Sequence, residues 1–203
     1  MSEPEMDLDL WRALTVTQPW GGLLAAGIKP IENRSRKIAP RGLFGKRFAI
    51  HASREIDLDV YARICDIAPE LFDDDEEIPE DGDDPWASVT RSIVAKYPTP
   101  IDAPWVPLSR VTSAIIAVAT LAHEVLIGQG EERNKLWRGD LTYVEEKLGP
   151  GAARWFFGPY GYVLTNVTIL PDPVPCRGFQ GFWTMTAPTR EAVVAQLARA
   201  EAA

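Results

Sequence analysis

The chain has 203 residues, 46% hydrophobic and 25% charged, with 21 Lys and Arg against 29 Asp and Glu, which excludes wholesale disorder and fits one soluble globular domain over residues 1–203. A chain of this length buries roughly 70% of its unfolded surface, enough for a core without metal or disulfide support. The longest apolar stretch, Ala114 to Ala122, is far short of the roughly 20 residues of a membrane span, and the acidic start is unlike a signal peptide, so a cytoplasmic protein with no membrane partner is expected.

The net charge of −8 is local in origin. Ten of the 29 acids lie between Glu70 and Asp84 with no base among them, leaving 19 acids against 21 bases elsewhere. Residues 27 to 54 form a basic segment, with Lys29, Arg34, Arg36, Lys37, Arg41, Lys46, Arg47 and Arg54 against the single acid Glu32. Such a segment attracts anionic ligands, phosphates among them, or it is simply a solvated face.

In chain order, Leu14 to Gln18 alternates as a half-buried strand does, and Pro19 opens a short helix carrying Trp20, Leu23 and Leu24, with Gly27 as its stop. Pro30 to Arg34 reads as extended, and a basic loop turns at Pro40-Arg41-Gly42. Phe48 to His51 predicts a second strand and Asp57 to Ile67 a helix. Residues 68–110 form an insertion. Its acidic part, 68–84, is an exposed loop for which no function is expected, a helix spans Trp86 to Lys96, and 97–110 is a proline-rich irregular connector. Ser113 to Ile127 predicts a central strand buried on both sides. Asp140 to Leu148 predicts a helix; Tyr160 to Leu170 and Gly181 to Thr186 predict strands separated by the turn-rich PDPVPCRGFQ. The tail, 188–203, is helix-prone. Short strands without regular βαβ alternation predict an α+β fold, a small mixed barrel with peripheral helices.

The segment TVTQPWGGLLAAGIKPIENRSR, residues 15 to 36, concentrates the candidate chemistry. If residues 30–34 are extended, Glu32 and Arg34 share one face, and Lys29 stands at the strand's start. Two cations then flank one carboxylate, forming a polar floor that can read a base edge, an amide or a phosphate. The plainer alternative is a cross-strand ion pair of about 0–1 kcal/mol. Trp20 is a candidate for stacking on a nucleobase or a core anchor. Thr17 and Gln18 offer hydrogen bonds at the strand end, where Gln18 equally well caps the helix. Trp155, Phe156 and Phe157 cannot all face one way, so one of the three is a candidate for exposure. Arg177 is a candidate phosphate contact. His51 is either a ligand contact or a structural histidine, and Glu124, beside His123, is a second carboxylate that no spacing ties to the motif. With Cys65 and Cys176 as the only cysteines and His51 and His123 as the only histidines, no zinc quartet of usual spacing is available, and neither metal nor cofactor is expected.

Gly27, Lys29, Glu32 and Arg34 fit GxKxxExR, and the chain here resembles the ASCH domain family, relatives of PUA-like domains. The flanking QPW turn and the segments GPYGYVLTNVTILPDPVPCRG and GFW, within residues 158–183, are similar to that family's closing strands. The resemblance covers residues 12–52 and 110–186. It implies a PUA-like β-barrel with a cleft at the motif, taking RNA or a modified nucleotide. For such a cleft the residues themselves offer Trp20, Thr17, Gln18, Arg34, His51, Arg36, Lys37 and Arg177 as ligand contacts and Arg41 and Lys46 as further phosphate contacts. Some members are amidohydrolases of acetylated cytidine, with a lysine at the position matched by Lys29, and others are described as ribonucleases. In a hydrolase reading of this chain Glu32 serves as general base for water and Lys29 as its acidic or electrostatic partner, the two forming the candidate catalytic pair. The amidohydrolases carry threonine where this chain has Glu32, and a carboxylate paired with arginine accepts hydrogen bonds without donating them.

Overall fold

The computed structural model describes residues 11–57, 59–68, 105–126, 142, 144–146 and 148–202. The acidic stretch from 69 to 84, the helix expected at 86–96 and the side chains of Arg41 and Cys65 lie outside the described residues. Six strands form one mixed sheet: β1 (Arg12–Gln18), β2 (Ile31–Arg34), β3 (Arg47–Ile56), β4 (Ala114–Leu126), β5 (Tyr160–Pro175) and β6 (Phe182–Thr184). Their order across the sheet is β2-β5-β4-β3-β1-β6. Only β1 and β3 run parallel; every other neighbour pair is antiparallel.

The central strand is β4, paired with β3 on one side and β5 on the other. Its run of Ala, Ile and Val is what a strand covered on both faces requires, and its first six residues are all buried. Strand β5 is longer than its sequence suggests, because Pro171, Pro173 and Pro175 fall where β2 no longer flanks it, so their missing N–H groups cost no ladder bond on that side. The connector expected to be irregular over 97–110 ends in a helix, α3 (Trp105–Arg110). Pro107 sits in its first turn, where an N–H has no intrahelical acceptor to meet.

The sheet curls until its two ends approach. Strand β6 pairs β1 only as far as Leu14, and beyond that point Arg34, on the far-end strand β2, donates to the carbonyl of Thr15 at 2.6 Å. The interior of this incomplete barrel holds Leu14, Val16, Phe48, Ile50, Ala117, Ala119, Leu121, Tyr162 and Leu164. Tyr162 on β5 meets Phe182 on β6 edge-on, with centroids 6.4 Å apart. Two further clusters lie outside the barrel wall. One, around Ile31, Val60, Ile64, Trp155 and Phe156, seats α2 (Asp59–Ile67); the other, around Ala13, Ala49, Trp183, Val193 and Leu197, seats α4 (Ala187–Glu201). Helix α1 (Trp20–Ala25) joins β1 to β2, and its Leu24 faces the barrel interior while Leu23 faces the α2 cluster. Gly27, at φ 73°, ends that segment in a left-handed conformation that glycine takes without strain.

Candidate functional site

The site lies at the seam between the β1 and β2 edges. Alternation along β2 divides its four residues: Ile31 packs outside against Trp155 and Phe156, while Glu32 and Arg34 meet on the other side, Arg34 Nη2 lying 3.0 Å from Glu32 Oε1. Lys29 Nζ is 3.1 Å from the other carboxylate oxygen, Oε2, and also donates to the carbonyl of Ile31. The expected arrangement of two cations about one carboxylate is therefore present. Its energetic character differs from a surface ion pair, since Lys29 is 1% and Glu32 5% exposed. Desolvation holds the Lys29 amine below its ordinary pKa, outweighing the raising effect of Glu32, and the charges of Arg34 and Arg63 push the same way as burial.

Aromatic rings wall the amine. Lys29 Nζ lies 5.3 Å from the centroid of Trp20 and 5.9 Å from that of Phe157, within cation–π reach. Trp20 and Phe157 lie 5.6 Å apart at a tilt of 39°, and buried Trp155 meets Trp20 edge-on at 6.4 Å. Of the three consecutive aromatics, Phe157 is the one left half-buried; Trp155 and Phe156 are core. Asn33 fixes this loop: its Oδ1 accepts from the amides of Phe157 and Gly158 at 3.0 and 3.2 Å, and its Nδ2 donates to the carbonyl of Trp155 at 2.8 Å. Arg63, exposed on α2, places its guanidinium carbon 4.0 Å from the Phe157 centroid. Neither Asn33 nor Arg63 stood out in the sequence. Asn33 was visible only as the outward residue between Glu32 and Arg34, and nothing in the α2 pattern marks Arg63.

The interior row continues through the sheet. Glu32 is the β2 partner of Tyr162, and Tyr162 is the β5 partner of Glu124 on β4, so the cross-strand register puts these three side chains on one face. Glu124 Oε2 pairs with Lys37 at 2.7 Å, and its buried Oε1 has no hydrogen-bond partner among the described residues. That pairing raises the Lys37 pKa, mainly through its hydrogen bond to Glu124. Tyr162 Oη accepts from the amides of Ile38 and Ala39 at 2.7 and 3.4 Å, tying the basic loop back to the sheet, and burial raises its pKa.

Other candidates stand elsewhere. Gln18 is buried and engaged by the scaffold: its Nε2 donates to the carbonyls of Leu108 and Val111 at 2.8 and 2.6 Å, and its Oε1 accepts from the Gly22 amide at 3.0 Å, the helix-capping alternative. Thr17 is half-buried on β1, two residues along from Thr15, whose Oγ1 accepts from Trp183 Nε1 at 2.9 Å. His51 is 2% exposed, with Nε2 3.1 Å from the carbonyl of Cys176 and its ring edge-on to Trp183 at 5.6 Å. Arg177 is exposed, 5.4 Å from the ring of Phe179, and Arg36 is exposed in the loop after β2. Lys46, the residue just before β3, is half-buried. Among the described residues no three His, Cys, Asp or Glu side chains converge as metal ligands would, and no helix is long and apolar enough to cross a membrane.

The cluster is closed at its floor and open at its rim. Arg34 is 24% exposed, and Trp20, Phe157 and Arg63 reach the surface. A separate cleft of about 380 Å³ opens behind the 27–30 turn, lined among others by Pro30, Trp155, Arg154 and Asn166; neither Lys29 nor Glu32 lines it.

No protein-family model matches the chain, and no curated protein matches it significantly. Among solved structures it is similar to ASCH from Zymomonas mobilis, at 11% identity and a TM-score of 0.42 over 91% of this chain and 93% of that one. Two single-substitution variants of the Zymomonas mobilis protein also match: one at 15% identity and a TM-score of 0.44, over 93% of this chain and 96% of that one, the other at 11% and 0.41, over 91% and 96%. The chain thus resembles ASCH domain structures across more than nine-tenths of its length.

Proposed function

We propose that the seam between β1 and β2 is a binding site for RNA or a nucleotide. The observation that supports this reading is the convergence of Lys29, Glu32 and Arg34 beneath the rings of Trp20 and Phe157: a charged, hydrogen-bonding floor under an aromatic wall. Stacking on such a wall is worth about 1–3 kcal/mol per base, while a carboxylate and a guanidinium side by side present the acceptor and donors that read a base edge. A ligand first meets the exposed rim, and it reaches the Lys29 amine only when a rim side chain moves. The exposed cations of the loop after β2, Arg36 and Lys37, and the more distant Arg177 supply phosphate contacts outside that floor. Titration of a fluorescent single-stranded RNA at two salt concentrations tests the reading. Affinity should fall steeply as salt rises; no binding at the lower salt overturns RNA as the ligand, and no binding of free nucleotides either overturns the reading as a whole.

One observation favours a second reading, hydrolysis of an acylated cytidine or of RNA. Burial lowers the Lys29 pKa, moving the amine toward the range in which it exchanges protons in catalysis. Glu32 would then activate water while Lys29 serves as proton donor or stabilises developing negative charge. Turnover abolished by Lys29→Ala and by Glu32→Gln supports this role, and full activity in both variants removes it.

A further inference from the structure

Resting on the nucleotide-binding reading, we infer that Arg63 is the phosphate-binding arm of the seam, so that the ligand carries a phosphate group and is not a neutral nucleoside. The argument begins with charge. Lys29 and Arg34 flank the carboxylate of Glu32, and Arg63 stands near enough on Phe157 for its charge to act on Lys29, so even with the Lys29 amine neutral the cluster carries two guanidinium groups against one carboxylate. A site with surplus positive charge at a partly desolvated rim favours an anion.

Position singles out Arg63 among the three cations. Glu32 holds Lys29 and Arg34, and backbone carbonyls hold them a second time, Ile31 for Lys29 and Thr15 for Arg34. Among the described residues Arg63 has no carboxylate partner; it is exposed and lies over the ring of Phe157, 4.0 Å from its centroid. Stacking on a ring uses the face of the guanidinium and leaves its edge donors for a bidentate anion. Phe157 is itself held by Asn33, so the arm rests on a fixed platform beside Trp20. A base lying against Trp20 would therefore have its phosphate within the field of Arg63.

The test compares each of the four nucleoside 5′-monophosphates with its parent nucleoside, by calorimetric titration of the wild-type chain, Arg63→Gln and Arg63→Lys. Inorganic phosphate and a short single-stranded RNA form two further arms. In the wild type, a monophosphate should bind about ten-fold or more tighter than its nucleoside, the difference one charge-assisted hydrogen bond supplies. Arg63→Gln should erase that ratio, and Arg63→Lys should keep part of it. If RNA is the physiological source of the phosphate, the RNA salt slope should fall by about one in Arg63→Gln; an unchanged slope with a lost monophosphate ratio points to a free nucleotide. Inorganic phosphate binding as tightly as the monophosphates would show that the arm takes the anion without a base. An unchanged ratio in Arg63→Gln, or equal wild-type affinity for nucleoside and monophosphate, overturns the inference while leaving base binding standing. Absence of binding by nucleosides, monophosphates and RNA alike overturns both. Thermal midpoints of the variants, expected to match the wild type because Arg63 is exposed, guard against misfolding as the cause.

Discussion

Lys29 and His51 are both buried bases beside a tryptophan, 1% and 2% exposed, and desolvation is the leading cause of a lowered pKa in each. Their surroundings set them apart. His51 faces a backbone carbonyl, the edge of Trp183 and the backbone of Gly178, where an added Cβ would lie 2.3 Å from the ring. A neutral imidazole with its proton on Nε2 suits that carbonyl, while its buried Nδ1 has no hydrogen-bond partner among the described residues. Lys29 instead sits among Glu32, Arg34 and Arg63, an arrangement whose charges no single protonation state cancels. Burial alone therefore does not mark a candidate site; burial with unbalanced charge and a route to the surface does.

The largest expected effect breaks the Lys29 side of this comparison. Glu32→Gln leaves two cations at the seam without their shared counter-charge, and breaking a buried pair from one side costs about 3–5 kcal/mol. Urea unfolding should show the midpoint falling accordingly. Lys29→Met should cost less, because Arg34 still neutralises Glu32 and the long apolar stem is kept, yet it should remove the ligand's contact with the floor. Equal losses in the two variants would mean that the cluster is held by packing rather than by charge. On the His51 side, Gly178→Ala drives a methyl group into the His51 ring and Thr15 Oγ1. Its expected cost is about 1–3 kcal/mol, read by the same denaturation, with RNA affinity unchanged. Weakened RNA binding in that variant would join His51 to the site.

Much of this geometry was legible in the sequence for a simple reason: β2 is short and alternates, so a period of two placed Glu32 and Arg34 together and Ile31 and Asn33 opposite. The stop at Gly27 and the central β4 followed from equally local signals. What stayed hidden depends on long-range register. Glu124 joins the row of Glu32 only because Tyr162 pairs with both, 38 and 130 residues away in sequence, and pairings at such separations leave no mark on spacing. The parallel pairing of β1 and β3 is hidden in the same way, as is the resting place of Arg63 on Phe157. Gln18 shows the reverse case: its polar side chain at a strand end allowed a ligand contact or a helix cap alike, and only the fold shows the three hydrogen bonds to Gly22, Leu108 and Val111 that match the cap.

The smallest expected effect sharpens the comparison through pH. Unfolded, His51 takes up a proton near its ordinary value of 6.5, while the folded chain resists until a lower pH. In that window the unfolded state binds more protons, so His51 makes the folded chain lose stability as pH falls below about 6.5. The unfolded chain keeps the Lys29 proton up to about 10.5 while the folded chain releases it earlier, so by the same linkage Lys29 makes stability rise with pH in the alkaline range. Tyr162 opposes it only above about pH 10, where its raised value retains a proton the unfolded chain has lost. Urea midpoints for the wild type, His51→Leu and Lys29→Met, taken from about pH 5 to about pH 10, separate the two groups. His51→Leu should flatten the acid limb and leave the alkaline rise; Lys29→Met should do the opposite. A Lys29→Met profile parallel to the wild type at alkaline pH would mean that the amine is no harder to protonate folded than unfolded, and would take away the ground for giving it a role in proton transfer.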